Sequence, residues 1–259
     1  MKSILFATTG CLSLCAGGAS AQSLTLFGYN LTASLQAAAA PSWQGSKRYS
    51  VFPSGNVAVT HPWQFDDFYA PDDAASLALV NTKILSFGVA AAILEDRGNS
   101  HELQGMQNIG WAGEAGGYAN IWPTPWMRVR VEALKGLFAE DGLRVNVGSD
   151  LVTHPGKWTF SAGPRFSWAD DHYTGTYFSI TPAEALASPR FQNPYAARGG
   201  PLSAGLEAST EYKWRPRWRL TLSANYNRLL DDAAASPIVR QVGSADQFSV
   251  AGGIRFMLR

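Results

Sequence analysis

The sequence predicts an all-β protein, a transmembrane antiparallel up-and-down β-barrel of about 12 strands, with roughly 10 to 14 possible. Apolar and polar residues alternate with a period of two over many segments, as they do in strands with one apolar face. These segments have the roughly 9 to 11 residues that a membrane-spanning strand needs. Tryptophans gather at the segment ends, where a barrel in a membrane carries its aromatic girdles.

The N-terminal residues predict export. Lys2 precedes an apolar stretch over 4–14, and small residues at 19–21 precede Gln22. This pattern is typical of a secretory signal peptide, and the stretch is shorter than the roughly 20 residues of a membrane-spanning helix. We therefore expect cleavage between Ala21 and Gln22, which divides the chain into a signal peptide over 1–21 and an outer-membrane β-barrel domain over 22–259.

Cysteine content and charge exclude several functions. Cys11 and Cys15 both lie in the predicted signal peptide, so the mature chain would have no disulfide, thiolate nucleophile or thiolate metal site. A lipoprotein signal centred on Cys15 is an alternative, but Leu14 stands where a small residue is required. Without Lys2, 20 basic residues balance 20 acidic ones, which argues against a nucleic-acid partner. We expect no cofactor and no metal.

The strands are clearest in the C-terminal half. Predicted strands lie at 111–121, 127–133, 143–151, 157–168, 203–214, 217–228 and 247–258. Upstream, strands are predicted at 27–35 and 85–93, with three shorter strands between Ser46 and Tyr69, broken near Pro53-Ser54-Gly55 and His61-Pro62. An even number places the short turns near 122–125, 154–156 and 215–216 in the periplasm. The long connections 96–109, 169–202 and 229–245 then lie outside the cell.

Two alternatives concern what the faces of these strands contact. A soluble periplasmic sandwich or lipocalin-like barrel also has alternating strands, but it buries the apolar face. In a membrane barrel, the polar face carries charges of both signs into the lumen, where they either pair and fill it or line a narrow aqueous pathway. The predicted inward charges are Glu114, Arg128, Arg130, Glu132, Arg144, Asp150, Lys157, Arg165, Glu207, Glu211, Lys213, Arg217, Arg219 and Arg255.

Two segments carry a family resemblance. The first runs from Gly163 through the acidic pair Asp170-Asp171 to Ala185, and the second from Tyr226 to Val239. On these segments the chain resembles the MipA/OmpV family of outer-membrane proteins. The matching positions, to which we assign no role, are Gly163, Pro164, Trp168, Asp170, Asp171, Tyr173, Tyr177, Phe178, Pro182, Leu229, Asp232, Ser236 and Pro237.

The resemblance implies an outer-membrane scaffold. The family's namesake takes part in murein (peptidoglycan) enlargement and bridges a lytic transglycosylase and a bifunctional penicillin-binding protein, while other members are discussed as adhesins or determinants of antibiotic uptake. Members usually end at the final aromatic residue, whereas Met257-Leu258-Arg259 follow Phe256 here. The leading hypothesis is therefore a non-enzymatic scaffold in the cell outer membrane, in contact with its lipid and lipopolysaccharide. A porin-like small-solute channel is the alternative.

Two further motifs fall in the predicted outer loops. Thr181-Pro182-Ala183-Glu184 combines a capping residue, an initial proline and a glutamate at the third position, which predicts a short helix to about Ser188. Asp170-Asp171-His172 and Asp231-Asp232 could in principle form a hydrolytic site at the rim, where a carboxylate orients a histidine. Paired acids in exposed loops are more often solvated, so a rim hydrolase is the third hypothesis.

Overall fold

The structure is a computed structural model that describes residues 30–60, 68–98 and 100–258. In this part of the chain, eleven strands form one closed barrel, in which each strand is hydrogen-bonded to two neighbours. The strands are β1 (Asn30–Pro41), β2 (Tyr49–Thr60), β3 (Ala75–Asn81), β4 (Leu85–Leu94), β5 (Ala112–Thr124), β6 (Met127–Phe138), β7 (Leu143–Thr153), β8 (Trp158–Ala169), β9 (Gly200–Arg215), β10 (Trp218–Leu229) and β11 (Asp246–Leu258). Every strand therefore has a neighbouring strand on each side.

The barrel closes by pairing its first and last strands. β1 runs antiparallel to β11, with register pairs from Leu31↔Leu258 to Ala39↔Val250. Met257 and Leu258, which follow Phe256, belong to this ladder, because they pair with Thr32 and Leu31. One seam differs from all the others: β2 and β3 are parallel and are joined by two residue pairs, whereas the antiparallel seams have six to twelve.

The long connections lie together at one end of the barrel, as expected, although that end also has the four-residue connection 139–142. We define the turn end as the end with the connections 82–84, 125–126, 154–157 and 216–217. The loop end carries 42–48, 95–111, 139–142, 170–199 and 230–245. β1 starts and β11 finishes at the turn end, since Leu31 and Leu258 are partners.

The barrel wall is apolar outside and polar inside. Large apolar side chains are exposed on every side of the barrel, among them Leu35, Val51, Leu79, Phe87, Ile93, Ile121, Leu137, Leu151, Phe160, Leu206, Leu222 and Val250. Charged side chains are buried in the lumen, among them Glu114, Arg128, Arg130, Glu132, Asp150, Glu207, Glu211 and Arg255. This distribution is the reverse of a soluble barrel and is that of a transmembrane barrel, so the soluble alternative is wrong.

Short helices cover the loop end. They are α1 (Asp171–Phe178), α2 (Pro182–Ala187), α3 (Asp231–Ala235), a π-helical turn (Ile238–Val242) and a 3-10 turn (His101–Leu103). α2 begins with the predicted capping box, because the Thr181 hydroxyl and the Glu184 carboxylate cap each other's backbone N–H groups. No helix among the described residues is long and apolar enough to cross a membrane.

The prediction between Ser46 and Tyr69 is wrong in part. A single strand, β2, runs unbroken through Pro53-Ser54-Gly55 instead of the shorter strands expected there. Proline is tolerated here because β2 pairs with β3 only at Ala58 and Val59, so at Pro53 the strand is paired with β1 alone. The predicted break at His61-Pro62, like the predicted strand start at 27–29, lies outside the described residues.

The strand count is eleven, within the predicted range but different from the central value of twelve. β3 was not predicted, because its seven residues are short for a membrane strand. With an odd number of strands, the chain ends can share one side only if one neighbouring pair is parallel, which is the arrangement of β2 and β3. Residues 68–74, which precede β3, lie inside the barrel.

Candidate functional site

Residues 68–74, which we call the lumen segment, lie inside the barrel. The Asp73 carboxylate accepts hydrogen bonds from Arg128 Nη1 at 2.6 Å and Nη2 at 3.0 Å. Asp72 accepts from Arg165 Nε at 2.6 Å and Nη2 at 3.1 Å. The Ala74 N–H donates to Glu132 Oε1 at 3.0 Å. Two bidentate arginine pairs thus hold the segment against β6 and β8.

The two aromatic residues of the lumen segment contact other parts of the wall. Phe68 packs edge-on against Trp122 at 6.3 Å, and the Arg128 guanidinium lies 4.8 Å from the Phe68 ring centroid. The Tyr69 hydroxyl donates to Asn56 Oδ1 at 2.9 Å, and Arg255 Nη2 donates to the Tyr69 carbonyl at 2.9 Å. The segment therefore touches β2, β5, β6, β8 and β11, and it obstructs the lumen on the turn side.

The wall arginines also pair with wall carboxylates. Arg128 contacts Asp150 at 2.6 Å, and Arg130 contacts Glu132 at 2.7 Å. Arg165 contacts Asp150 at 2.7 Å and Glu207 at 3.2 Å. Further pairs join Arg144 to Glu114, and Arg219 and Arg255 to Glu211. Most predicted inward charges meet in this network, but Lys157, Lys213 and Arg217 are exposed at the turn end.

A polar chamber of about 380 Å³ lies on the loop side of the lumen segment. One wall consists of neutral hydroxyl and amide side chains, and the opposite wall of charged ones. The neutral residues, on β1, β2, β10 and β11, are Gln36, Ser54, Ser223, Asn225, Asn227 and Ser249. The charged residues include Arg130, Glu132, Arg144, Arg165 and Glu207.

The two segments that carry the family resemblance pack against each other at the loop end. Ser236, which is fully buried, donates from Oγ to the Phe178 carbonyl at 2.6 Å. The Tyr195 hydroxyl donates to the Asp232 carbonyl at 2.9 Å, and the Asp232 carboxylate accepts from the Arg198 N–H at 2.8 Å. These contacts join the 170–199 and 230–245 connections into one apolar cap.

The other matching positions have structural contacts as well. Asp170 caps α1 by accepting from the Tyr173 N–H at 2.9 Å, and Asp171 accepts from the Gly199 N–H at 2.6 Å. Tyr173, Tyr177 and Leu229 are buried in the cap, Pro182 begins α2, and Pro237 precedes the π-helical turn. Gly163 and Pro164 lie in β8, and Trp168 is partly exposed on the outside of that strand. The predicted cleavage site at Ala21 and Gln22 lies outside the described residues.

A cleft of about 590 Å³ opens at the loop end beside the cap. Arg97 lines it and is buried, donating from Nη1 to the Tyr177 carbonyl at 2.6 Å and from Nη2 to the Gln107 carbonyl at 3.3 Å. Burial lowers the pKa of this guanidinium. Because Tyr177 is in the last turn of α1, the cation of Arg97 lies where a helix favours positive charge. Arg97 thus fixes the 95–111 connection to the cap.

The pKa values of two carboxyl groups near this cleft are shifted in opposite directions. Burial raises the pKa of Glu140, although the Gly142 N–H donates to its Oε2 at 2.6 Å. Burial also acts on Glu184, but N–H donors from Gln107 and Thr181 outweigh it and lower the pKa of that group. The contributions of these two groups to the stability of the loop end therefore change with pH in opposite directions.

The arrangement needed for a rim hydrolase is not found among the described residues. His172 lies 3.5 Å from Asp141 with both side chains mostly exposed, while Asp170 and Asp171 accept from backbone N–H groups. The described part also holds no cluster of three or more His, Cys, Asp or Glu that could bind a metal ion. The acidic motifs of the loop end hold the cap together.

Sequence reasoning missed the lumen segment. Asp72 and Asp73 follow Pro71 in a stretch without alternation, so no strand pattern marked them. No charge signal marked them either, because the inward arginines that they contact also have carboxylate partners in the wall.

Three outer-membrane proteins are among the solved structures whose fold is similar to that of this chain. The NanC porin is 8% identical, with 88% of this chain and 98% of that chain covered and a TM-score of 0.43. The outer membrane protease OmpT from Escherichia coli is 9% identical, with 88% and 96% covered and a TM-score of 0.38. An outer membrane channel from Pseudomonas putida F1 is 10% identical, with 88% and 94% covered and a TM-score of 0.38. Similarities this low say nothing about what the chain binds or does.

Sequence comparison is more informative about the family. No curated protein is significantly similar to the chain. The model of the family described as "MltA-interacting protein MipA" matches residues 33–258, from the first strand to the last. The match includes both segments that form the cap and every residue of the lumen segment. The chain therefore belongs to the MipA family.

Proposed function

We propose that the protein is a non-enzymatic barrel of the cell outer membrane that acts as a scaffold for enzymes of murein synthesis and remodelling. The observation that carries the proposal is the family match over residues 33–258. The family is described as interacting with MltA, and the earlier resemblance implies a lytic transglycosylase and a penicillin-binding protein as partners. We extend these two partner classes to this chain.

The distribution of residues supports the proposed location. The exposed apolar wall suits membrane lipid, and the short connections of the turn end suit the periplasmic side. Lipopolysaccharide would then surround the loop end. The proposal includes removal of residues 1–21 as a signal peptide.

Scaffolding without catalysis agrees with the chemistry of the described residues. Asp170, Asp171 and Asp232 accept hydrogen bonds from backbone N–H groups of the cap, which leaves His172 beside Asp141 alone. A hydrolase requires a base held within reach of a nucleophile or water. Purified protein should therefore show no hydrolysis of peptide or lipid A.

The exposed cations of the turn end are the surface on which to test partner binding. Lys157, Lys213, Arg215 and Arg217 lie in two neighbouring hairpins and are exposed. A soluble partner in the periplasm can reach this end but not the loop end. An acidic surface on the partner would be attracted to it.

The test is retention of a purified lytic transglycosylase by the folded barrel in detergent. We expect retention by the parent, and at least about ten-fold weaker binding by Lys157→Glu/Lys213→Glu/Arg217→Glu. The matched control, Arg190→Glu/Arg198→Glu/Arg240→Glu, reverses three exposed charges at the loop end and should bind like the parent. If the parent retains neither the transglycosylase nor a penicillin-binding protein, the scaffold proposal is wrong.

A small-solute channel is the second candidate, favoured by the polar chamber in the lumen. In the structure, the lumen segment and its arginine partners obstruct the path on the turn side. We therefore expect no stable unitary conductance from the parent in planar bilayers at low voltage. Regular unitary steps under these conditions would favour the channel.

A further inference from the structure

We propose that the lumen segment is a releasable plug, which leaves the barrel through the turn end and opens the polar chamber to that side. Its residues, 68–74, reach from the turn side, where Phe68 meets Trp122, to Arg165 in the middle of β8. The barrel would then have a closed state, seen here, and an open state. This inference goes beyond the scaffold role and does not depend on it.

The first argument is the charge balance of the wall. Three wall arginines, Arg128, Arg130 and Arg165, contact the two acids of the plug. The same arginines contact three wall carboxylates, Asp150, Glu132 and Glu207. Three positive and three negative charges balance without the plug, and Asp72 and Asp73 add two negative charges. Release therefore leaves no wall arginine without a carboxylate partner.

The second argument is the state of Glu207 while the plug is in place. Glu207 is 2% exposed, and its Oε1 atom has no hydrogen-bond partner. Its Oε2 accepts from Arg165 Nη2 at 3.2 Å, while the same guanidinium donates to Asp72 from Nε at 2.6 Å. Asp72 and Glu207 thus compete for Arg165. Release of Asp72 would free Arg165 to pair fully with Glu207, which offsets part of the cost of opening.

The third argument is the weak seam beside the plug. β3 follows the plug directly and pairs with β2 only through Ala58↔Ser76 and Val59↔Leu77. On its other side, β3 is held by six residue pairs with β4. The plug can therefore swing at Ala75 by opening the start of this short parallel seam while the rest of the barrel stays closed. Local opening of this kind needs few broken contacts.

Limited proteolysis of folded protein tests the proposal. Chymotrypsin is too large to enter the lumen, so cleavage after Phe68 or Tyr69 reports that the plug has left it. We expect Asp72→Asn/Asp73→Asn to be cleaved there at least about ten-fold faster than the parent, because cleavage follows the population of the open form. The control Glu95→Gln/Asp96→Asn removes two loop-end carboxylates and should be cleaved at the parental rate. Mass spectrometry identifies the cleaved bond.

Hydrogen exchange of the unmodified protein provides a measurement that no folding defect can disturb. The Asp73 and Ala74 N–H groups donate to the Ala70 carbonyl at 3.1 Å and to Glu132 at 3.0 Å. We expect both to exchange at least about ten-fold faster than the amides of β6, which the barrel protects. Exchange as slow as in β6, or parental cleavage rates in the folded double variant, would overturn the proposal. Neither readout involves a partner, so failure here leaves the scaffold proposal unaffected.

Discussion

At the scale of single residues, most positions that carry the family resemblance belong to the loop-end cap. Ser236 joins the second segment of the family resemblance to the first by a hydrogen bond to the Phe178 carbonyl. Tyr173 packs against Tyr177 with ring centroids 4.8 Å apart. The Tyr173 hydroxyl also donates to Gln44 of the 42–48 connection at 3.1 Å. The resemblance at these positions thus reflects the packing of the cap and the hydrogen bonds that join its connections.

Two carboxyl groups of the loop end should respond to pH in opposite ways. Because burial raises the pKa of Glu140 above 4.5, its contribution to stability is full in acid and is lost as pH rises through its folded pKa. The pKa of Glu184 is lowered despite burial, because three hydrogen bonds from Gln107 and Thr181 stabilise the carboxylate. Its contribution is present at neutral pH and is lost as pH falls through its folded pKa.

Thermal unfolding between about pH 3 and pH 8 measures both effects. The stability of Glu140→Gln relative to the parent should be greater at neutral pH than in acid. Glu184→Gln should be less stable than the parent at neutral pH and approach it in acid. The two variants control for each other, since they remove the same charge. If the stability differences of the two variants from the parent change with pH in the same direction, the opposite pKa shifts of Glu140 and Glu184 are wrong.

At the scale of elements, most strands were predictable from their alternation, whereas β2 and β3 were not. β8, β10 and β11 were predicted to within a few residues, because alternation runs along their whole length. The prediction broke β2 into shorter strands near Pro53, but proline is tolerated in a strand that lacks a partner on one side. The lumen segment has no period at all, since it is neither helix nor strand.

Gly163 shows how closely the elements of the wall approach. A Cβ at this position would overlap the Ser149 carbonyl oxygen of β7, whereas at Gly252 the nearest atom is Leu222 Cδ1 at 3.7 Å. We expect Gly163→Ala to lower the free energy of unfolding by about 1–3 kcal/mol through overpacking. Gly252→Ala should change it by less than about 0.5 kcal/mol. Guanidinium unfolding in detergent, followed by tryptophan fluorescence, compares them, and equal losses would contradict the close approach.

At the scale of the whole molecule, the barrel is stabilised by an ionic interior. Arg128 is 1% exposed and is held by both Asp73 of the lumen segment and Asp150 of β7. Arg128 therefore connects the lumen segment to the barrel wall. Because buried charges are costly without partners, this arginine should be essential for the closed state.

Arg128→Met should destabilise the barrel by about 3–5 kcal/mol, because it leaves two buried carboxylates without their shared partner. The control Arg228→Met breaks an exposed pair with Asp246 and should cause no measurable change. Guanidinium unfolding of the refolded proteins measures the difference. If both variants unfold at the same guanidinium concentration, the buried network does not stabilise the barrel.

The sequence by itself determined the class of fold, the separation of short and long connections and the start of α2. These features are local: period two specifies a strand with two faces, and a capping box needs only four neighbouring residues. The tertiary structure alone decided the parallel seam, the lumen segment and the partners of the inward charges. Asp72 and Arg165 are 93 positions apart in the chain, and only closure of the barrel brings them together.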